Sequence, residues 1–199
     1  MDNIVIVRLM RHAPTKENLE KRYLGWTDAS LADISKLSIV DKNVMKVYGS
    51  DLRRCRETAA HYFPNATYIT DWRLRESNFG EFEGKTYEEL KSDHRYCAWL
   101  DNPVLSPPPN GEGFAAFCQR VKDGFSALPR DEDNYYVVAH GGVIRALLVE
   151  FAPVEQPFWT YNVPHDKMFT LTFSRKAWEE GNRCMSLLEE PIMEKPTML

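Results

Sequence analysis

Two histidines occupy matching positions in a chain of 199 residues: His12 follows Ile4 to Met10, and His140 follows Tyr135 to Ala139. A neutral imidazole can serve as nucleophile or proton carrier, and among cations it suits an anionic substrate. Each histidine has anion-binding equipment beside it. Arg11 adjoins His12. Gly141 and Gly142 follow His140, let the backbone come close, and open a helix whose first N–H groups lack intrahelical partners. Alone, either histidine reads as an ordinary hydrogen-bonded structural residue; the pairing points to chemistry.

Arg53, Arg54 and Arg56 lie in the first turns of another predicted helix. Cations there oppose the helix dipole unless an anion compensates. A solvated helix face is the bland reading, and periodicity does not choose among the three. Glu76 lies close to Trp72, Leu74 and Phe79. Apolar surroundings raise a carboxyl pKa toward neutrality, as a proton donor needs; a loop salt bridge to Arg73 or Arg75 is the alternative.

The elements that must carry these residues follow from apolar patterning. Ile4 to Val7 is a β-branched run that suits a strand buried on both faces. Val44 to Tyr48, Ala66 to Thr70, Tyr135 to Ala139, Met168 to Phe173 and Cys184 to Leu188 read as further strands. Leu52, Cys55, Ala59, Tyr62 and Phe63 recur at helical spacing, so a helix is predicted over 51–63, with its N-cap in the turn Gly49-Ser50-Asp51. Val143, Leu147, Leu148 and Phe151 predict a helix after Gly142. The alternation implies a three-layer α/β/α sandwich on a mostly parallel sheet, whose strand carboxyl ends are where ligands bind. The stretch 86–128 breaks the rhythm. The capping box Thr86 to Glu89 and the stripe Phe114, Phe117, Cys118, Val121, Phe125, Leu128 predict a helical insertion lying over one edge of the sheet, as a lid. Residues 1–199 read as one domain with a flexible tail over 191–199.

Composition narrows the function. A net charge of -4, from 25 basic and 29 acidic residues, argues against nucleic-acid or membrane binding. Apolar runs are too short to cross a bilayer, and the start at Met1-Asp2-Asn3 lacks secretory character. Cys55, Cys97, Cys118 and Cys184 are far apart, as expected of reduced thiols in a cytoplasmic protein, and no His/Cys cluster has zinc-ligand spacing. Trp99, Phe158 and Trp159 are assigned to the core rather than to a dimer face.

Four ordered segments resemble the motifs of the histidine phosphatase superfamily, the phosphoglycerate-mutase-like proteins. They are Arg11-His12-Ala13-Pro14-Thr15-Lys16-Glu17-Asn18, Ser50 to Ala59 around Arg54, Leu74 to Gly84 around Glu76, and Val138 to Arg145 around His140; Gly111-Glu112 matches the lid. Ala13 replaces the family's glycine, which requires a backbone conformation a Cβ allows. Leu31 to Leu37 lacks a family segment taken to be a scaffold helix.

The resemblance implies a metal-independent phosphatase without cofactor. In it His12 is the nucleophile, Glu76 the proton donor, and Arg11, Asn18, Arg54, His140 and Gly141 hold the phosphoryl oxygens. It implies a small phosphorylated metabolite as substrate. Leu24-Gly25-Trp26-Thr27-Asp28 and His140 to Arg145 are similar to α-ribazole phosphatases of cobalamin synthesis, which points to α-ribazole 5′-phosphate. A cofactor-dependent phosphoglycerate mutase and a non-catalytic phospholigand-binding protein are the alternatives; the short chain and the intact residue set favour the phosphatase. Lys21, Arg22 and Tyr23 border the site and are read as an exposed polar loop ahead of a substrate-reading role. Monomer and homodimer are both compatible with the sequence.

Overall fold

The computed structural model describes residues 4–192. In chain order, β1 (Ile4–Arg11) and the short α1 (Lys16–Leu19) are followed by β2 (Lys46–Gly49), α2 (Arg53–Tyr62) and β3 (Thr67–Thr70). Three helices come next: α3 (Tyr87–Leu90), α4 (His94–Asp101) and α5 (Phe114–Ser126). The chain closes with β4 (Asn134–Ala139), α6 (Gly141–Phe151), β5 (Lys167–Ser174), α7 (Arg175–Glu180) and β6 (Ser186–Pro191). Among the described residues, no helix is long and apolar enough to cross a membrane.

The six strands form one sheet in the order β3-β2-β4-β1-β5-β6. The first four run parallel, whereas β5 is antiparallel to β1 and β6 to β5. The α/β fold with a mostly parallel sheet therefore stands, with two antiparallel strands closing one side. Register sets the site. Arg11 pairs with Ala139, so the two strands that precede the histidines end side by side. Because β5 runs the other way, its beginning lies there too, with Met168 opposite Met10.

Side chains alternate between two cores, as strand geometry requires. Val5, Val7, Leu9, Tyr135 and Val137 pack with α5, α6 and Trp178 of α7. Met10, Val47 and Val138 pack on the other face against Cys55, Ala59 and Tyr62 of α2. Helices on both faces give the three layers. Ile4 is exposed and Ile6 only half-buried, so β1 alternates along this stretch and is not buried on both faces throughout.

The stretch 86–128 is not one insertion over a sheet edge. α5 lies in the main core through Phe117, Val121 and Phe125, because its apolar stripe needs the sheet to cover it. Only α3 and α4 stand apart, around a small aromatic core of Phe82, Leu90 and Tyr96. Other corrections are local. Asp51 does not cap α2: Leu52 is the cap residue, with no side-chain bond. The Asp51 carboxylate instead grips Arg75 at 2.7 and 2.6 Å, since a paired guanidinium binds it better than an amide does. The last strand begins at Ser186, not Cys184, and runs through Pro191 with Ile192 buried behind it, so the expected tail is structured at its start. Residues 193–199 of that tail lie outside the described residues. Leu31 to Leu37 contains a single 3-10 turn, Ile34–Lys36.

Candidate active site

His12 and His140 meet at the end of the β1–β4 pair, with ring centroids 5.2 Å apart and both residues buried. The His12 N–H donates to Ala139 O at 2.9 Å, continuing the strand ladder by one residue. His12 Nδ1 lies 2.7 Å from Ala13 O. A carbonyl only accepts, so Nδ1 carries the proton and Nε2 keeps its lone pair. Among the described residues Nε2 has no hydrogen bond. Burial, then the Arg54 charge, hold this ring well below the usual imidazole range, and the Ala13 bond opposes them. The ring is neutral with its tautomer set.

Ala13 accepts the family departure at no conformational cost, because its backbone is not in the left-handed region; among the described residues the non-glycine exceptions are Lys21 and Asn110. Its N–H donates to Thr58 Oγ1 at 2.9 Å, and that hydroxyl donates to Arg54 O at 2.7 Å. One threonine thus ties the His12 loop to α2.

Of the three arginines left open in α2, Arg54 is the one fully buried in the site. Arg53 pairs with Glu57 on the surface, and Arg56 turns back to Asp51 O. Arg54 donates to Thr27 O at 2.8 Å and Gly25 O at 2.7 Å, and its Nε to His140 Nδ1 at 3.3 Å. His140 must then carry its proton on Nε2, which lies 3.6 Å from Cys55 Sγ. Burial and Arg54, followed by His12, hold His140 well below the usual range. The carbonyls that steer Arg54 are fixed in turn by Glu83, whose carboxylate accepts from Trp26 N, Thr27 N and Thr27 Oγ1 at 2.6 to 3.0 Å. Gly25 permits this approach, since a Cβ there would lie 2.1 Å from Ser77 O.

Arg11 donates to Val163 O at 2.9 Å, and among the described residues its buried Nε has no partner. Burial pulls its guanidinium below the ordinary range; Glu76 opposes this, and Arg145 and Arg54 add to it. Neither Arg11 nor Arg54 makes a salt bridge among the described residues. Two cations without a carboxylate partner, Arg54 buried and Arg11 partly buried, are costly and create a cup suited to an anion.

Glu76 meets the first turn of α6, whose Gly141 lies beside Arg11. Its Oε2 accepts from Gly142 N at 2.9 Å and its Oε1 from Ser77 N at 3.0 Å. The expected alternative does not hold: Arg73 pairs with Asp71 and Arg75 with Asp51. Glu76 does border an apolar cavity, with Phe79 among its lining, but its two carboxylate oxygens are held by backbone amides, because the 72–76 segment turns the carboxylate onto the start of α6. Gly141 packs beside Arg11, where a Cβ would stand 3.4 Å from the guanidinium carbon. Asn18 is committed in part: its Oδ1 accepts Thr15 N at 3.1 Å in the capping box of α1, which leaves the amide nitrogen to donate.

The loop 21–23 divides. Lys21 is exposed. Arg22 is a latch, donating to Gly84 O and pairing with Glu20 and Glu89. Tyr23 is half-buried, bonds Tyr96 through its hydroxyl at 2.8 Å, and lines a cavity beside Glu76. Trp99, Phe158 and Trp159 line the same cavity. The core assignment fails for Trp159, which is 63% exposed.

Two site residues carried no sequence signal that drew notice. His165 stacks edge-on to His12 at 5.4 Å; it precedes a strand, and only the ends of parallel strands suggest ligand contact. Arg120 donates to Arg73 O, Arg75 O and Glu76 O and pairs with Glu112. A charge on the apolar stripe of α5, between Phe117 and Val121, was the available sign. Among the described residues no group of three or more His, Cys, Asp or Glu side chains is placed to hold a metal ion.

The chain is similar to known proteins. A family model, the histidine phosphatase superfamily (branch 1), matches residues 7–182. An adenosylcobalamin/alpha-ribazole phosphatase of Salmonella typhimurium is 30% identical over 161 residues, covering 70% of this chain and 76% of the relative. A 2,3-bisphosphoglycerate-dependent phosphoglycerate mutase of Corynebacterium efficiens is 28% identical over 188 residues, covering 70% and 73%. The crystal structure of the alpha-ribazole phosphatase from Shigella flexneri superposes with a TM-score of 0.76 at 25% identity, covering 86% of this chain and 92% of the other.

Proposed function

The chain belongs to branch 1 of the histidine phosphatase superfamily, and from that premise we propose that it hydrolyses a small-molecule phosphate monoester through a phosphohistidine on His12. One observation carries this reading. The bond from His12 Nδ1 to Ala13 O leaves Nε2 as a lone pair beside the guanidiniums of Arg11 and Arg54, neither of which has a carboxylate partner among the described residues.

In the first step Nε2 attacks phosphorus in line and the ester P–O bond breaks. Arg11, Arg54 and His140 stabilise charge on the equatorial oxygens, helped by the Asn18 amide and the amide of Gly141. Glu76 gives its proton to the leaving oxygen. In the second step Glu76 takes a proton from water, whose oxygen attacks phosphorus, and the P–N bond breaks to free His12 and phosphate. The arginines supply the positive charge, so the proposed reaction needs no metal. α-Ribazole 5′-phosphate is the substrate favoured by the likeness to α-ribazole phosphatases. A cytoplasmic location fits four free cysteines.

The test uses p-nitrophenyl phosphate with a chelator present. Wild-type protein releases phosphate, and His12→Ala abolishes release. A mutant as active as wild type removes His12 as the nucleophile. Phosphoryl transfer to 3-phosphoglycerate from a bisphosphorylated donor, faster than transfer to water, would make the protein a mutase.

A further inference from the structure

Beside Glu76 the molecule opens into a cavity of about 240 Å³, of whose lining phosphoryl transfer uses only Glu76 and Gly142. Seven aromatic rings line it; Phe117 belongs to the main core, and the other six stand in two groups. Tyr23, Phe79 and Trp99 form one, with centroids 5.3 to 5.9 Å apart. Phe114, Phe158 and Trp159 form the other, at 5.0 and 4.8 Å. Core packing takes up only part of these rings: Trp159 is largely exposed, and Trp99 and Phe158, though they pack against the cores, are half-buried.

The charges in the lining are few and mostly spent. Glu112 is held by Arg120 at 2.7 and 2.6 Å. Glu76 is bonded to Gly142 and Ser77. Arg145 remains. Its Nε donates to Tyr161 O at 2.9 Å, and its guanidinium carbon lies 5.9 Å from the Trp159 centroid. It sits one turn beyond Gly142 on α6 and lines the same cavity as Glu76.

Position decides what enters. Glu76 protonates the leaving oxygen in the proposed reaction, so the rest of the leaving alcohol extends into the space that Glu76 lines. A small charged alcohol would give up water there against a largely aromatic lining with one cation in return. A flat apolar group would cover the rings and gain offset or edge-on contacts. The volume falls below the roughly 300–1,000 Å³ that encloses a whole drug-sized ligand, which suits one ring system whose phosphorylated end reaches out toward His12.

We infer that this cavity is the leaving-group subsite and takes an aromatic ring: preferred substrates are monoesters of alcohols bearing a flat, uncharged ring system, with Trp99, Phe158 and Trp159 setting the preference and Arg145 meeting a polar atom of the substrate. This inference rests on the phosphatase reading.

The test compares kcat/KM for 2-phenylethyl phosphate, ethyl phosphate and 3-phosphoglycerate, and the binding of 2-phenylethylphosphonate and ethylphosphonate by calorimetry. Wild type should favour the phenyl ester over the ethyl ester by about tenfold or more, the scale of one or two ring contacts. Trp159→Ala and Trp99→Ala should each lower that ratio by about fivefold. Trp99 also packs on the α3–α4 core, so the exposed Trp159 supplies the variant that keeps its fold. Equal rates for the two esters, a preference for 3-phosphoglycerate, or a ratio unmoved by Trp159→Ala would overturn the inference. Turnover that depends on His12 but ignores the ring sinks the subsite and leaves the phosphatase standing. No turnover, with the phenyl phosphonate still bound more tightly, does the reverse.

Discussion

His165 donates its Nδ1–H to the backbone carbonyl of His12 across 2.6 Å, although 153 positions separate the two in the chain. Burial pushes the His165 ring down to about 4, helped by Arg11 and opposed by the His12 bond and Asp166. The folded ring is therefore neutral above about pH 4, whereas in the unfolded chain it takes a proton below about 6.5. Between those values the unfolded state binds more protons, and stability is lost as pH falls from 6.5 to 4. His12 and His140 act in the same direction. Urea unfolding should show a clear loss between pH 7 and pH 5. His165→Asn keeps a donor for the carbonyl and removes the titration, so its loss at pH 5 should be smaller by about 2 kcal/mol. Identical pH slopes for the two proteins would contradict this.

Gly142 is small because the Glu76 carboxylate rests on it. A Cβ there would stand 2.2 Å from Glu76 Oε1, so Gly142→Ala must displace the proposed acid. Its expected signature depends on the leaving group. Turnover of ethyl phosphate should fall about 100-fold, the scale of lost acid catalysis, and p-nitrophenyl phosphate, whose leaving group needs little protonation, should fall much less. Glu76→Gln should reproduce the pattern. Equal slowing of both esters would mean that Glu76 does not deliver the proton.

Much of the parallel half of the fold was legible in the sequence, because β2 and β4 are short apolar runs each followed by a turn and a helical stripe. His12 and His140 could be paired from their matching contexts, and β1–β4 register then places them together. Less legible was what pairing across the sheet decides. Nothing near His165 reports that β5 runs antiparallel and brings its first residues to the end of β1. The stripe of α5 said that one face is buried but not against what, so a core helix read as part of a lid. Asp51 was an equally good cap or ion-pair partner until Arg75 arrived from 24 positions away. Local patterning encodes faces and ends; partners chosen at long range are set by the assembled sheet.

Thiol reactivity should follow burial. Burial pushes the Cys55 thiol up to about 12 and Cys118 and Cys184 up to about 11, so little thiolate is available at pH 8. Cys97 is exposed. Iodoacetamide on the folded protein should label Cys97 first, as read by peptide mass spectrometry. Labelling of Cys55 ahead of Cys97 would show that the His140 side of the site opens to solvent.

Arg120 separates stability from positioning. It is nearly buried, pairs with Glu112 through two bonds, and holds the carbonyls of Arg73, Arg75 and Glu76 at 2.7, 3.0 and 3.2 Å. Arg120→Met keeps much of the volume but strands the Glu112 charge, which costs about 3–5 kcal/mol when a buried pair loses one member. Adding Glu112→Gln removes the stranded charge, so the double variant should regain most of the thermal stability. It should not regain the Glu76 geometry, because the three carbonyls still lack their donor. The double variant is therefore expected to melt near wild type yet to retain slow turnover of ethyl phosphate relative to p-nitrophenyl phosphate. Recovery of both properties together would reduce Arg120 to a partner for Glu112 and leave the 73–76 segment held by other contacts.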